Sequence, residues 1–177
     1  WIQNGKVTPP EEGEQNKEFY YMSDFLKQNG FDHYEISNFG KPGFHSKHNS
    51  AYWKSEPYLG IGPSAHSYDG NLERSWNIAN NSLYIKNINQ NILPKETEIL
   101  SEKDRFNEMM MIGLRTIWGV DLNKINQNFS SEIIDYFNEE IKNKLESEIL
   151  VIENNHLLIP EKHWFLADGI ASDLFMV

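Results

Sequence analysis

Cysteine is absent from this chain of 177 residues. Its absence excludes disulfides, thiolate catalysis and every metal or iron–sulfur site bound by cysteine within the chain. A sequence without cysteine is also consistent with a cytoplasmic location, which we therefore expect.

Long apolar runs are missing as well. No stretch approaches the ~18 residues that a membrane-spanning helix needs, so we predict no membrane span. Residues 1–14 have neither the basic segment nor the apolar segment of a secretory signal. The chain begins at Trp1 rather than Met, and we expect that it was cut from a larger protein.

Basic residues are scarce, because 16 Lys and Arg stand against 26 Asp and Glu, giving a net charge of −10. Residues 1–95 carry 10 acidic and 9 basic side chains, whereas residues 96–177 carry 16 acidic and 7 basic ones. The second part, at −9, repels nucleic-acid phosphates and anionic membranes. We therefore predict no nucleic-acid partner.

Histidine is concentrated in one stretch, residues 33–68, which contains His33, His45, His48 and His66 together with glycine, proline and aromatic residues. Gly and Pro oppose a continuous helix, so this mixture is typical of loops and strand ends that line a ligand pocket. Most of the candidate site residues therefore come from this stretch.

The spacing of apolar residues predicts the elements of the first part. We expect a helix over residues 14–29 with Asn29-Gly30 as its C-cap, and a strand over residues 31–39, as in a parallel α/β unit. A loop should follow through His48 to Trp53. Further expectations are a strand-like segment at 58–67, a short helix at 81–91 and a linker at 91–98 around Pro94. The composition changes at that linker, so we predict a first domain over residues 1–92 and a second over residues 96–177.

The second domain is predicted to be mostly helical. Ser101 is the expected N-cap of a helix that runs to Trp118, with Asp104 completing an acidic capping box. A short helix at 121–128 and a long helix after Ser130 or Ser131 should follow. The long helix has an apolar stripe formed by Ile133, Ile134, Phe137, Ile141, Leu145 and Ile149. A hairpin turning at Asn154-Asn155 and a last helix over residues 161–175 complete a winged-helix-like arrangement.

His48 and its neighbours Asn49, Tyr52 and Trp53 are the first candidate site. A neutral imidazole is a good ligand for iron or zinc, and aromatic rings nearby can flank a flat macrocycle. The simpler alternative is a loop histidine hydrogen-bonded to the backbone. A zinc site made by His45, His48, His66 and Glu35 is a further alternative, although its spacing is unusual.

Two other features can serve a ligand. Gly60 and Gly62 lie in a segment that either lines a cavity or forms a plain turn. Arg74 can meet a ligand carboxylate, or it can anchor a loop through ordinary packing.

Several short motifs follow one another in order: HYEISNF at 33–39, SKHN at 46–49, YW at 52–53, YLG at 58–60, AHSY at 65–68, MIGLRT at 111–116 and GVDL at 119–122. They resemble the late barrel region and the following domain of HemW proteins. These are radical S-adenosylmethionine (SAM) proteins similar to oxygen-independent coproporphyrinogen III oxidases. The resemblance extends over nearly the whole chain.

This resemblance implies an α+β fold: the C-terminal remnant of an incomplete (β/α) barrel, followed by the helical, winged-helix-like domain. It makes His48 the candidate axial ligand of haem, with Asn49, Tyr52 and Trp53 in the same motif and Arg74 at a propionate. It also places Gly40, Gly62 and His66 beside the SAM and substrate cavity. Gly40 stands where the family usually has alanine.

The resemblance further implies cofactors and partners of a full-length parent. SAM and a [4Fe–4S] cluster would be bound only there, because the cluster motif C-x-x-x-C-x-x-C lies upstream in the family. The hypothesis is a haem-binding chaperone that passes haem to acceptor proteins and packs on its own N-terminal part. The alternatives are an oxygen-independent coproporphyrinogen III oxidase and, from another class, a winged-helix module for protein interaction.

Overall fold

The computed structural model describes residues 4–6, 8, 11 and 13–177. The first two residues, on which the expectation of a cut chain rests, lie outside this part. In the first half the elements are α1 (Glu14–Gln28), β1 (Asp32–Glu35), β2 (Asn38–Gly40), α2 (Lys47–Trp53), β3 (His66–Tyr68), β4 (Glu73–Asn77), α3 (Asn81–Ile88) and β5 (Lys95–Ile99). In the second half they are α4 (Glu102–Gly113), β6 (Val120–Asp121), α5 (Leu122–Asn128), α6 (Ser131–Glu146), β7 (Val151–Glu153), β8 (His156–Leu158), a 3₁₀ helix (Glu161–Leu166) and α7 (Ala167–Ser172).

The strands of the described residues form three small antiparallel sheets, in the orders β1-β2, β3-β4-β5 and β6-β8-β7. The prediction of one strand over residues 31–39 in a parallel unit is therefore wrong. The chain reverses at Ile36-Ser37, where the Glu35 carboxylate accepts a hydrogen bond from the Ser37 N–H at 3.0 Å. Helix α1 was predicted correctly.

Three expectations in the histidine-rich stretch and its surroundings need correction. The predicted loop contains helix α2, which begins where the Ser46 hydroxyl accepts a hydrogen bond from the Asn49 N–H at 3.2 Å. The segment 58–67 is mostly irregular, with a single bridge between Tyr58 and Tyr68 before β3. The predicted linker at 91–98 contains most of β5, which pairs with β4 over its whole length. The division into residues 1–92 and 96–177 stays a prediction.

The second half follows the sequence prediction more closely. The Ser101–Asp104 capping box is present at the start of α4. Helix α4 ends at Gly113 rather than Trp118, because the Gly113 carbonyl accepts hydrogen bonds from both the N–H and the hydroxyl of Thr116. The β7–β8 hairpin turns through Asn154 and Asn155, both with positive φ, as a type I′ turn requires. The predicted last helix is divided into the 3₁₀ helix and α7.

The hydrophobic core lies almost entirely in the second half. Phe106 is fully buried, and the rings of Phe129, Tyr136 and Phe137 meet it edge-on at 5.8–6.3 Å between centroids. The predicted stripe of α6 faces this core. Among the described residues before β5, Tyr34 is the one hydrophobic side chain that is almost completely buried. No helix among residues 13–177 has both the length and the apolar character needed to cross a bilayer.

Candidate functional site

Helix α2 carries all four residues of the first candidate site. His48 is exposed, and within the described part of the chain its ring makes no hydrogen bond. Tyr52, one turn later, presents its ring edge to His48 at 4.9 Å between centroids and to Tyr58 at 4.6 Å. The alternative of a loop histidine tied to the backbone is therefore wrong on both counts. A helical imidazole with both nitrogens free can act as a ligand.

The neighbouring Asn49 is an anchor of the helix. Its side-chain amide donates to Asn38 Oδ1 at 3.0 Å, and the Asn38 amide in turn donates to the Glu35 carboxylate. Helix α2 is thus connected to the β1–β2 hairpin through two side-chain amides. This connection fixes the position of His48 relative to the hairpin.

Glu35 is fully buried and holds the centre of that connection. Its Oε1 accepts hydrogen bonds from Arg115 Nε at 3.2 Å and from Arg115 Nη2 at 3.0 Å, a bidentate ion pair. Arg115 also donates to the Asp168 carboxylate on α7, and its guanidinium lies 5.6 Å from the ring centroid of Trp53. One arginine therefore joins the hairpin, α2 and the helical half.

Four of the predicted residues line one cavity of about 210 Å³. They are Tyr52, Trp53, His66 and Arg74, and the wall also includes Tyr58, Tyr68 and Glu108. Burial raises the pKa of the Tyr58 and Tyr68 phenols, which favours their neutral, protonated form still further. Arg74 donates to the Glu108 carboxylate, which raises the pKa of Arg74 and engages much of its charge. The ring of His48 contacts Tyr52, but His48 is not part of this wall.

Gly40 and Gly62 do not line this cavity. Gly40 is buried at the end of β2, where a Cβ would lie 3.2 Å from the His45 ring and 3.3 Å from the Phe44 carbonyl oxygen, so its small size accommodates the following turn. Gly62 has φ +103°, and its carbonyl accepts a hydrogen bond from the Asn77 side-chain amide at 2.9 Å. Their assignment to a SAM cavity stays a prediction.

The zinc alternative is wrong. Glu35 is engaged by Arg115, and His45 Nε2 is 2.8 Å from Asp32 Oδ2 while its ring stacks on Tyr34 at 4.3 Å. Within residues 13–177 and the few described residues before them, no three His, Asp or Glu side chains are placed to bind a metal ion together.

His33 is the one histidine whose side chain is fully buried. Its Nε2 lies 3.1 Å from the Ile36 carbonyl oxygen, which can only accept, so Nε2 carries a proton. Its Nδ1 lies 2.9 Å from the Ser23 hydroxyl, which also lies 3.2 Å from Glu161 Oε1. Its ring also stacks on Phe39 at 4.0 Å. Burial lowers the pKa of His33 below its usual value of 6.5, although the Ile36 carbonyl opposes this shift.

A histidine whose folded-state pKa is lowered makes stability depend on pH in one direction. Well above about pH 6.5, His33 is neutral in both the folded and the unfolded protein. Below that pH, His33 binds a proton in the unfolded chain more readily than in the folded protein, so the folded state loses stability. We expect the melting temperature to fall further in the wild type than in His33→Gln when the pH is lowered from about 7.5 to about 5.5. Thermal unfolding at both pH values measures this, with His163→Gln as the control. An equal loss in wild type and His33→Gln contradicts the assignment.

Sequence reasoning missed several residues that hold this region together. Asn38, Glu108 and Arg115 were not assigned a role, and Glu35 was considered only as a zinc ligand. The partner of Glu108 is Arg74, which lies 34 positions away in the sequence, and Arg115 lies 80 positions from Glu35. No spacing rule connects such positions. The one local signal was Ser46, three residues before Asn49, which is the pattern of an N-cap.

Comparison with known proteins supplies the relatives of this chain. Residues 100–166 match the HemN C-terminal domain. Heme chaperone HemW of Lactococcus lactis is 32% identical over 170 residues, which cover 94% of this chain and 43% of that protein. Heme chaperone HemW of Synechocystis is 35% identical over 142 residues, covering 76% of this chain and 34% of that protein. The chain thus spans less than half the length of these relatives.

A solved structure has the same fold. Coproporphyrinogen III oxidase (HemN) from Escherichia coli, described as a radical SAM enzyme, aligns with a TM-score of 0.67 over 94% of this chain and 42% of its own length. The sequence identity is 17%, so this match concerns the fold alone. The chain is therefore HemW-like in sequence, and its residues 100–166 match the HemN C-terminal domain.

Proposed function

We propose that the protein is part of a haem-binding chaperone of the HemW type, and that His48 binds the haem iron. The observation that carries this proposal is the exposed imidazole of His48, which makes no hydrogen bond within the described residues. It lies on a helix that is held by Asn49 next to it and by Trp53 at the far end. A ligand held on a rigid element needs little rearrangement when it binds a metal. Haem is the cargo in this proposal, and its recipients are haem-accepting proteins in the cytoplasm.

Within this proposal each residue of the motif has a different task. His48 supplies the nitrogen ligand, and Tyr52 provides an aromatic surface next to the porphyrin. Asn49 and Trp53 hold the helix, through Asn38 and Arg115 respectively. Arg74 is less suited to a propionate than the sequence suggested, because Glu108 already accepts its hydrogen bond.

The His48→Ala variant tests this function. We expect haem affinity to fall at least about ten-fold and the Soret band of the complex to shift. Mutation of a residue that only hydrogen-bonds to a metal ligand already lowers metal affinity by about ten-fold or more, so loss of the ligand itself should have at least this effect. The measurement is a haem titration followed by absorbance, with His163→Ala as a control that removes a histidine outside the motif. An unchanged spectrum and affinity in His48→Ala would overturn the proposal.

The fold match favours a second candidate, in which the parent is an oxygen-independent coproporphyrinogen III oxidase. Radical chemistry would require three cysteines and SAM from a part of the protein outside this sequence, which has no cysteine. Production of protoporphyrinogen by reconstituted full-length protein would favour the oxidase, and its absence together with haem transfer would favour the chaperone.

A third candidate treats residues 96–177 as an interaction module with a winged-helix-like arrangement. Its −9 charge favours a basic protein surface over DNA as its partner.

We also propose that the exposed apolar side chains of the first half, among them Tyr21, Phe25 and Ile61, face the rest of the parent protein.

A further inference from the structure

A second and larger cavity lies between the end of α2, helix α4 and helix α5. Its volume is about 450 Å³, which is in the usual range of small-molecule sites. Its wall includes three aromatic side chains and three basic ones: Trp53, Trp118, Phe129, Lys54, Arg105 and Lys124. We propose that this cavity binds the anionic edge of a flat organic molecule, through a carboxylate or phosphate group, with Arg105 as the main contact.

Arg105 differs from the other two arginines of the chain. Arg74 is paired with Glu108, and Arg115 is paired with Glu35 and Asp168. Arg105 has no carboxylate within ion-pair distance among the described residues. Its guanidinium is held 5.6 Å from the ring centroid of Phe129, which positions the charge and leaves its N–H groups available.

Unsatisfied donors point to the same cavity. In the part of the chain that the structure describes, three side-chain atoms are shielded from solvent without a hydrogen-bond partner: Ser50 Oγ, Trp53 Nε1 and Arg105 Nε. Two of them belong to residues that line this cavity. A buried donor without an acceptor is unfavourable, and an anionic oxygen is the acceptor that a guanidinium prefers.

The charge around the cavity is also suited to an anion. Of its two lining acids, Glu108 is engaged by Arg74, and Asp121 accepts the Asn123 N–H at 2.9 Å as the N-cap of α5. Lys54 lies over the Trp118 ring at 5.3 Å and has no ion pair within the described residues. The free charge of this wall is positive in a chain whose net charge is −10. A ligand with a negative edge and an aromatic body complements both properties.

The experiment titrates the 177-residue protein with protoporphyrin IX, its dimethyl ester and ATP, followed by tryptophan fluorescence and calorimetry. None of these probes contains iron, so the result does not depend on whether His48 ligates haem. The variant is Arg105→Gln, and Lys86→Gln on the exposed side of α3 is the control. Circular dichroism checks that the variant is folded. If it is not, the double variant Lys54→Gln/Lys124→Gln removes charge from exposed positions instead.

We expect at least one of the two anions to bind and Arg105→Gln to weaken that binding by roughly 10- to 100-fold, since a hydrogen bond to a charged group is lost. The neutral ester should bind at least about ten-fold more weakly than the acid if the ligand is a tetrapyrrole carboxylate. Tighter binding of ATP would identify a phosphate ligand. Equal affinities in wild type and variant, or binding of neither anion, would overturn the proposal and leave Arg105 as a packing partner of Phe129.

Discussion

Replacing Arg115 by methionine is expected to lower the free energy of unfolding by about 3–5 kcal/mol, because the change leaves the Glu35 carboxylate buried without its partner. The Glu35 side chain has 0% exposure and the Arg115 side chain 19%, so water screens this pair little. Methionine keeps much of the packing volume near Trp53, so lost packing contributes less to the difference. Urea unfolding followed by far-ultraviolet circular dichroism measures the change.

The matched control is Lys144→Met, which removes an ion pair of similar length at the surface. Lys144 Nζ lies 2.8 Å from Asp173 Oδ2, and the Asp173 side chain is 62% exposed. Surface pairs contribute about 0–1 kcal/mol, so this variant should lose far less stability. If both variants lose the same amount, Arg115 does not have the role assigned to it. Adding Glu35→Leu to Arg115→Met should restore part of the loss, since no buried charge then remains unpaired.

The second large effect is expected at Gly119, immediately before β6. A Cβ there would lie 2.4 Å from the Leu157 carbonyl oxygen and 2.8 Å from Leu158 Cδ2, and Gly119 has φ +66°. The positive φ costs about 1–2 kcal/mol for any other residue, and the clash must displace the β8 backbone that pairs with β6. We expect Gly119→Ala to lower the free energy of unfolding by at least about 3 kcal/mol.

Gly169 offers the opposite case within the same half of the chain. It lies in α7, and a Cβ there meets no atom within 4 Å. Gly169→Ala should therefore raise stability by about 0.5–1 kcal/mol, the usual gain in a helix interior. Denaturant unfolding of both variants provides the comparison. Wild-type stability in Gly119→Ala would show that the chain relaxes around β6 more easily than its contacts suggest.

Local patterns predicted the helical half well. The capping box at Ser101 and Asp104, the apolar stripe of α6 and the Asn154-Asn155 turn all involve residues that are close in sequence. In each case the stabilising partner is within four positions, or the pattern repeats with the helical period. Such features can be predicted without knowledge of the rest of the fold.

The first half was predicted less well, for an identifiable reason. The strand expected over 31–39 reverses because Glu35 is buried and accepts hydrogen bonds from Ser37 and Arg115. The segment expected as a linker becomes β5 because β4 supplies its hydrogen-bond partners. Both outcomes depend on residues that meet only after the chain has folded. The secondary-structure propensities of the residues alone predict neither the reversal at Glu35 nor the strand β5.

The candidate site shows the same division. The sequence by itself determined that these 177 residues contain no cysteine, that His48, Asn49, Tyr52 and Trp53 occur together, and that the second half is strongly acidic. The tertiary structure alone decided that these four residues share a helix, that His66 and Arg74 line a cavity with two of them, and that Arg105 lacks a carboxylate partner while Arg74 has one. The physical reason is that residue types and short periods are local properties. Burial and charge pairing are set by distances between atoms that are remote in the chain.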